Sequence, residues 1–381
     1  MADIAFKLDP RILIGIDTVN RVGSTCAALG GRTVLVSEPA LYETKVIDRV
    51  KAVLQDAGVE AIVYDDVPSQ ATADVAENAA ELARGARCGS IVGLGGLKTQ
   101  AVARIASMLA GGKDYLFDLL DGGAPSGAYI PYIAIPTTGR DPFLFTDNFI
   151  AVDPRDRSVK MIKAASGMCV AAIIDPGLSE SLSGKFASTT AFDGFCVAVE
   201  AYCSTKANYL SDALLEHAME LYVRIMDSFS DERVFDVLGG STHAGFLTAL
   251  GASVSAPGIG TALAYALNGR FPVAKSWCST ALLPYVMERL LSARPERMAK
   301  VAALIGEPVE GASTAAAAEL AIAGIRRRMG LLKVPARLKD FGLSLDRLVP
   351  VAEAARNLDF VAFAPRPISS EDAYDILKMA F

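Results

Sequence analysis

The stretch "SIVGLGGLKTQAVARIA", Ser90 to Ala106, passes from a short apolar β-rich run, through three glycines, into a helical pattern. Gly93, Gly95 and Gly96 between a buried strand and a helix start let backbone N–H groups approach a phosphate, whose charge the helix N-terminus favours. A tight structural turn is the other reading of the same residues. The spacing is not the GxGxxG dinucleotide fingerprint, because Lys98 stands at the last glycine position. Lys98 either sets a cation beside a pyrophosphate or lies solvated in the first helical turn.

Outward from this stretch the first half of the chain repeats the same alternation. "RTVLVSE" (32–38) and "EAIVYDD" (60–66) read as strands, and "KVIDRVKAVLQDAG" (45–58) and "TADVAENAAELARGA" (72–86) as amphipathic helices, the second with Thr72 as its cap. "AYIPYIAIPTT" (128–138) and "CVAAIIDPGL" (169–178) are further strands, and residues 147–163 form a hairpin turning at 153–157. Strands alternating with helices imply a parallel sheet buried on both faces, Rossmann-like in class. Glu38 ends the first clear strand, where open α/β sheets bind ligands. A carboxylate there accepts hydrogen bonds from an adenosine ribose and repels a 2′-phosphate, which favours NAD over NADP.

Beyond Pro176 long helical patterns take over, so the chain divides into an α/β nucleotide-binding domain over 1–178 and an all-α domain over 179–381. Apolar residues make up 52% of the 381, and mean hydropathy is +0.33, so membrane insertion has to be tested. The run Val237–Gly269 has no Asp, Glu, Lys or Arg and is long enough to span a bilayer. It is broken at Pro257 and rich in Gly, Ser and Thr, and it reads as two buried helices.

No signal peptide is expected from "MADIAFKLDPRILIGI", which places the protein in the cytoplasm. Six scattered cysteines form no CxxC pair and read as buried thiols. Lys plus Arg number 37 against 43 Asp plus Glu, a net charge of −6, with no basic stripe, which argues against nucleic acid as a partner. Only two histidines exist: His217 is expected on a partly exposed helix face, and His243, in an apolar setting, as a core residue, a ligand role being the alternative for each.

Several segments together resemble the iron-containing (group III) alcohol dehydrogenase family of the dehydroquinate-synthase-like superfamily. "IVGLGGLKTQAVAR" falls where the family has GGGSxxDxAK, and "AIPTTGRDPF" where it has PTTAGTGSE. "DPGLSESLSGKFASTTAFDGFCVAVEAYCS" is similar to DPxL…GxDALxHAxExYxS, and Val334–Phe381 to the family tail with NPRPxTxED. The resemblance implies an α/β domain followed by an all-helical one, a nicotinamide cofactor, and a homodimer or larger assembly. It also implies a divalent ion, iron or zinc, held by an aspartate, a histidine four residues on and two later histidines.

Asp193 matches the aspartate, but Val197, Leu263 and Lys275 stand at the three histidine positions, and valine and leucine donate no electron pairs. In the cofactor loops Gly95, Gly96, Thr137 and Thr138 persist, while Leu97, Lys98 and Ala101 replace a glycine, a serine and an aspartate.

Three readings follow. The first is an NAD-dependent oxidoreductase acting on a small alcohol or aldehyde without a catalytic metal, with Lys275 polarising the carbonyl and Asp193 as its counter-charge. In the alternative for Lys275 it is a solvated lysine in a shortened loop. The second is a non-catalytic descendant that binds a nucleotide or a partner. The third changes the reaction class, as the superfamily's sugar-phosphate cyclases and polyol dehydrogenases do.

Overall fold

The structure is a computed structural model that describes residues 6–179, 184–229 and 237–381; the side chains of 184, 185, 237 and 238 lie outside that description. Among these residues the chain divides into two compact units, one of residues 7–179 and one of residues 184–381 with Phe6.

The first unit runs β1 (Arg11–Ile14), α1 (Val22–Ala27), β2 (Arg32–Val36), α2 (Ala40–Glu43), α3 (Val46–Asp56), β3 (Glu60–Tyr64), α4 (Val75–Gly85), β4 (Ser90–Gly95), α5 (Leu97–Ala110), α6 (Leu116–Leu120) and β5 (Tyr132–Pro136). The antiparallel hairpin β6 (Asn148–Val152) and β7 (Val159–Lys163) then precedes β8 (Cys169–Ile174). Six strands form one sheet in the order β1-β8-β5-β4-β2-β3, every pair parallel.

The central strands β4 and β5 are buried at every position. That is why they read as apolar runs without alternation. One face of the sheet packs Leu35, Val92, Ile133 and Ile173 against Ile47, Val50 and Leu54 of α3, the stripe that its helical periodicity presents. β3 and β4 lie on opposite sides of β2, so the order reverses between β2 and β4. Ligands of open α/β sheets bind at such a switch point, outside the carboxyl ends of the strands.

One local expectation fails, and one strand was not read at all. Thr72 does not cap α4: the helix starts at Val75 after Asp74, and the Thr72 hydroxyl donates to Asp74 Oδ1 (2.5 Å). β1 was not legible as a strand; at four residues, none of them buried, it carries little periodic signal.

The second unit is helical: α7 (Gly184–Cys203), α8 (Tyr209–Ser228), α9 (Val237–Ser253), α10 (Ile259–Arg270), α11 (Lys275–Ala293), α12 (Pro295–Leu304), α13 (Thr314–Leu331), α14 (Val349–Arg356) and α15 (Ser370–Met379). The apolar run Val237–Gly269 is indeed two helices, α9 and α10, and no helix among the described residues is long and apolar enough to cross a membrane. α8 starts at a capping box in which Asn208 accepts from Ser211 N and the Ser211 hydroxyl accepts from Asn208 N. Gly194 in α7 faces Tyr222 of α8 so closely that any Cβ would overlap the ring, which fixes how near the two helices approach.

Candidate functional site

At the switch point the glycine loop and Glu38 meet. β4 ends at Gly95 with φ +151°, a conformation that side chains strain to adopt, and a Cβ there would lie 2.8 Å from both Glu38 Oε1 and Thr99 Oγ1. Gly96 is the extended N-cap of α5, and its N–H donates to Glu38 Oε1 at 2.9 Å. The Glu38 carboxylate thus holds one of the helix's unsatisfied donors and is fixed beside the loop. The Thr99 hydroxyl, fully buried under Gly95, has no hydrogen-bond partner among the described residues. A built cradle with an unused polar atom inside it fits a polar ligand better than a purely structural turn. Lys98 is half-buried in the first turn of α5, and burial, with the Arg157 charge as a second cause, draws its ammonium down to about 8.

Around this loop the structure assembles residues that the sequence did not single out. Gln100 Nε2 donates to the carbonyls of Gly93 (2.9 Å), Gly95 (3.1 Å) and Ile135 (3.2 Å), tying the ends of β4 and β5 together, and its Oε1 accepts from the Tyr132 hydroxyl. Thr137 N–H donates to the Gly95 carbonyl (3.2 Å), and the Thr137 carbonyl accepts from Ser179 Oγ (2.8 Å). Thr138 Oγ1 accepts from Arg140 Nε at 3.4 Å. So Gly95, Gly96, Glu38 and Thr137 form one connected set, with Lys98 and Thr138 at its edges.

The loop after Thr138 is anchored from below by Arg104 of α5. Its guanidinium lies between the Tyr132 and Phe149 rings (5.8 and 5.4 Å), 3.7 Å from Asp141 Oδ2, and donates to the carbonyls of Phe143 and Leu144 (3.4 and 3.5 Å). Asp141 Oδ1 in turn accepts from Phe143 N–H at 2.9 Å. A buried arginine among apolar strands was the missed signal; its charge requires a partner, and the one available lies in the altered "GRDPF" segment.

In the helical unit, Asp193 of α7 and Lys275 of α11, 82 positions apart, form a direct ion pair, Nζ donating to Oδ1 at 2.5 Å. Their side chains are 0% and 2% exposed. The Tyr265 ring of α10 lies 4.7 Å from the ammonium, and Thr189 and Ser276 hydroxyls bridge α7 and α11 at 3.3 Å. Lys275 is therefore not a solvated loop lysine: it is the first residue of α11 and is buried. A cation at a helix N-terminus opposes the dipole, so the Asp193 carboxylate has to supply the compensation. Val197, one turn from Asp193, and Leu263 of α10 are both buried.

His243 is exposed, which corrects the expectation of a core histidine; α9 turns that position outward. His217 is exposed as expected, 3.5 Å from Glu220. The cysteines are free thiols, five buried and Cys169 partly so. Among the described residues no three or more His, Cys, Asp or Glu side chains gather where they could hold a metal ion.

Comparison with known proteins gives two family matches. Residues 9–176 match the iron-containing alcohol dehydrogenase model, and residues 187–381 match the C-terminal model of the Fe-containing alcohol dehydrogenase family. The chain is 27% identical to choline dehydrogenase of Bacillus subtilis (strain 168), over 99% of this chain and 94% of that one. It is 24% identical to the NAD-dependent methanol dehydrogenase of Bacillus methanolicus, over 98% and 99%. A crystal structure of 1,3-propanediol oxidoreductase superposes with a TM-score of 0.90 at 24% identity and full coverage of both chains.

Proposed function

Since the chain belongs to the iron-containing alcohol dehydrogenase family, as an oxidoreductase of the alcohol dehydrogenase type, we propose that it interconverts a small alcohol and its aldehyde with NAD, using a buried lysine where the family uses an ion. The observation that carries this reading is the 2.5 Å contact between Lys275 and Asp193. The residues present do not fit a divalent ion. The carboxylate at the family's aspartate position is engaged by an ammonium, and Val197 and Leu263 offer no lone pairs.

Carbonyl reduction needs positive charge beside the developing alkoxide, and a positioned cation in a dry site supplies it strongly. Lys275 Nζ is such a cation. It donates a hydrogen bond to the carbonyl oxygen and then a proton, while Asp193 and the Tyr265 ring hold the ammonium in place. NADH, when bound, supplies the hydride.

NAD as the cofactor is supported by the glycine cradle, by the unused Thr99 hydroxyl, and by Glu38, whose fixed carboxylate suits a ribose diol and repels a 2′-phosphate. One relative is itself named NAD-dependent. Assembly as a homodimer or larger oligomer completes the proposal, and light scattering on the purified chain tests it.

The second reading, a non-catalytic nucleotide-binding descendant, is favoured by one observation, the depth at which Lys275 lies. A single experiment separates the two. Chelator-treated protein is assayed with NADH over a panel of short aldehydes, alongside Lys275→Ala. The proposal requires turnover in chelator and a loss of about 10²–10³ in kcat with little change in NADH affinity for the variant. NADH binding without turnover on any aldehyde assigns the chain to the second reading.

A further inference from the structure

Within the helical unit lies a cavity of about 460 Å³, lined by neither Asp193 nor Lys275. Its size is that of a small-molecule site. The inner wall is apolar and buried, with Ile259 of α10 and Val286 and Leu290 of α11, and Phe363 and Ile368 close it from the tail segment. The rim is exposed at Ser292 and Arg366.

The hydrogen-bond inventory of the lining is unbalanced. Both carboxylates are saturated: Glu200 accepts from Gly258 N, Gly260 N, Thr261 N and Thr261 Oγ1 (3.2, 2.6, 2.9 and 2.7 Å). Asp372 accepts from Ser369 N (2.9 Å), Ser369 Oγ (2.7 Å) and Arg289 (2.7 Å). The guanidinium groups are not saturated. Arg289 donates through one nitrogen to Asp372, and Arg366 through one nitrogen to the Ser292 carbonyl (2.6 Å). A guanidinium carries five N–H donors, so the lining holds donors in excess and no spare charged acceptor. Asp372 is paired with Arg289, the Glu200 carboxylate is held by the α10 N-terminus though burial still pushes it up, and Arg366 at the exposed rim has no carboxylate partner among the described residues.

From this imbalance we propose that the cavity is a binding site for an amphipathic monoanion, a carboxylate with an apolar tail. The carboxylate pairs bidentately with Arg366 at the rim, and the tail lies along Ile259, Val286 and Leu290. This site is independent of the proposed oxidoreductase reaction.

The test is calorimetric titration of the full chain with octanoate, with octan-1-ol and octylammonium as equal-length neutral and cationic comparators. Saturable one-to-one binding of octanoate, weaker for octanol and absent for octylammonium, is expected. Arg366→Glu, at an exposed position, should weaken octanoate by about 10- to 100-fold, the scale of a lost charge-assisted hydrogen bond. Ala293→Trp should abolish binding by filling the cavity. Absence of saturable octanoate binding, equal affinity for octanol, or binding that survives Arg366→Glu overturns the proposal.

Discussion

Replacing Lys275 with methionine removes the ammonium while keeping the length of the side chain, and it strands the Asp193 carboxylate in a site where that side chain is 0% exposed. A buried ion pair broken from one side costs about 3–5 kcal/mol, because the remaining charge has lost its counter-charge out of reach of bulk water. The lost contact between the ammonium and the Tyr265 ring, at 4.7 Å, adds about 0.5–2 kcal/mol. The total is a large share of the 5–15 kcal/mol that stabilises an ordinary domain. The double variant Asp193→Leu with Lys275→Met removes both charges, and apolar replacements of buried pairs range from neutral to about 4 kcal/mol stabilising. It should therefore recover most of the loss.

The assay is built into the chain. Trp277 is the one tryptophan, two residues beyond Lys275 in α11 and stacked on Phe341 at a centroid distance of 5.8 Å, so its fluorescence follows the helical unit during urea unfolding. The reasoning is refuted if Lys275→Met costs less than about 1 kcal/mol, the range of an exposed ion pair, or if the double variant is less stable than the single one.

Gly95→Ala forces a side chain into φ +151° and within 2.8 Å of Glu38 and Thr99; a cost of about 1–3 kcal/mol and loss of NADH binding should appear in unfolding and fluorescence titrations. Lys98, drawn down to about 8 by burial and by Arg157, is charged below that pH and neutral above it. If it faces the pyrophosphate, the Kd for NADH rises as pH passes from 7 to 9, and Lys98→Met, measured over the same range, flattens the profile. Arg104→Met leaves the half-hidden Asp141 without its cation and frees the carbonyls of Phe143 and Leu144. It should destabilise by about 3–5 kcal/mol and raise the KM for NADH more than it lowers kcat.

The alternating sheet, the hairpin at 147–163 and the split helices of Val237–Gly269 were legible because each is written in local periodicity. β1 was not, since its four partly exposed residues become a strand only by pairing with β8, about 160 positions later in the chain. The glycine loop could be placed from local spacing, but its clamp could not. That Gln100 ties β4 to β5, and that Arg104 reaches Asp141, depends on which strands become neighbours.

The same distinction explains the ion pair. That Val197, Leu263 and Lys275 carry no imidazole is a matter of residue chemistry and can be read position by position. What replaces it is relational, since a lysine at a helix start is ordinarily solvated, and nothing near Lys275 in the sequence requires it to be buried. Burial becomes tolerable only because Asp193 arrives from α7 with a compensating charge, and Asp193 is tolerable in that core only because Lys275 arrives from α11. Each residue alone would be strongly destabilising. The core thus holds a carboxylate and a cation 2.5 Å apart, each the condition for the other's burial.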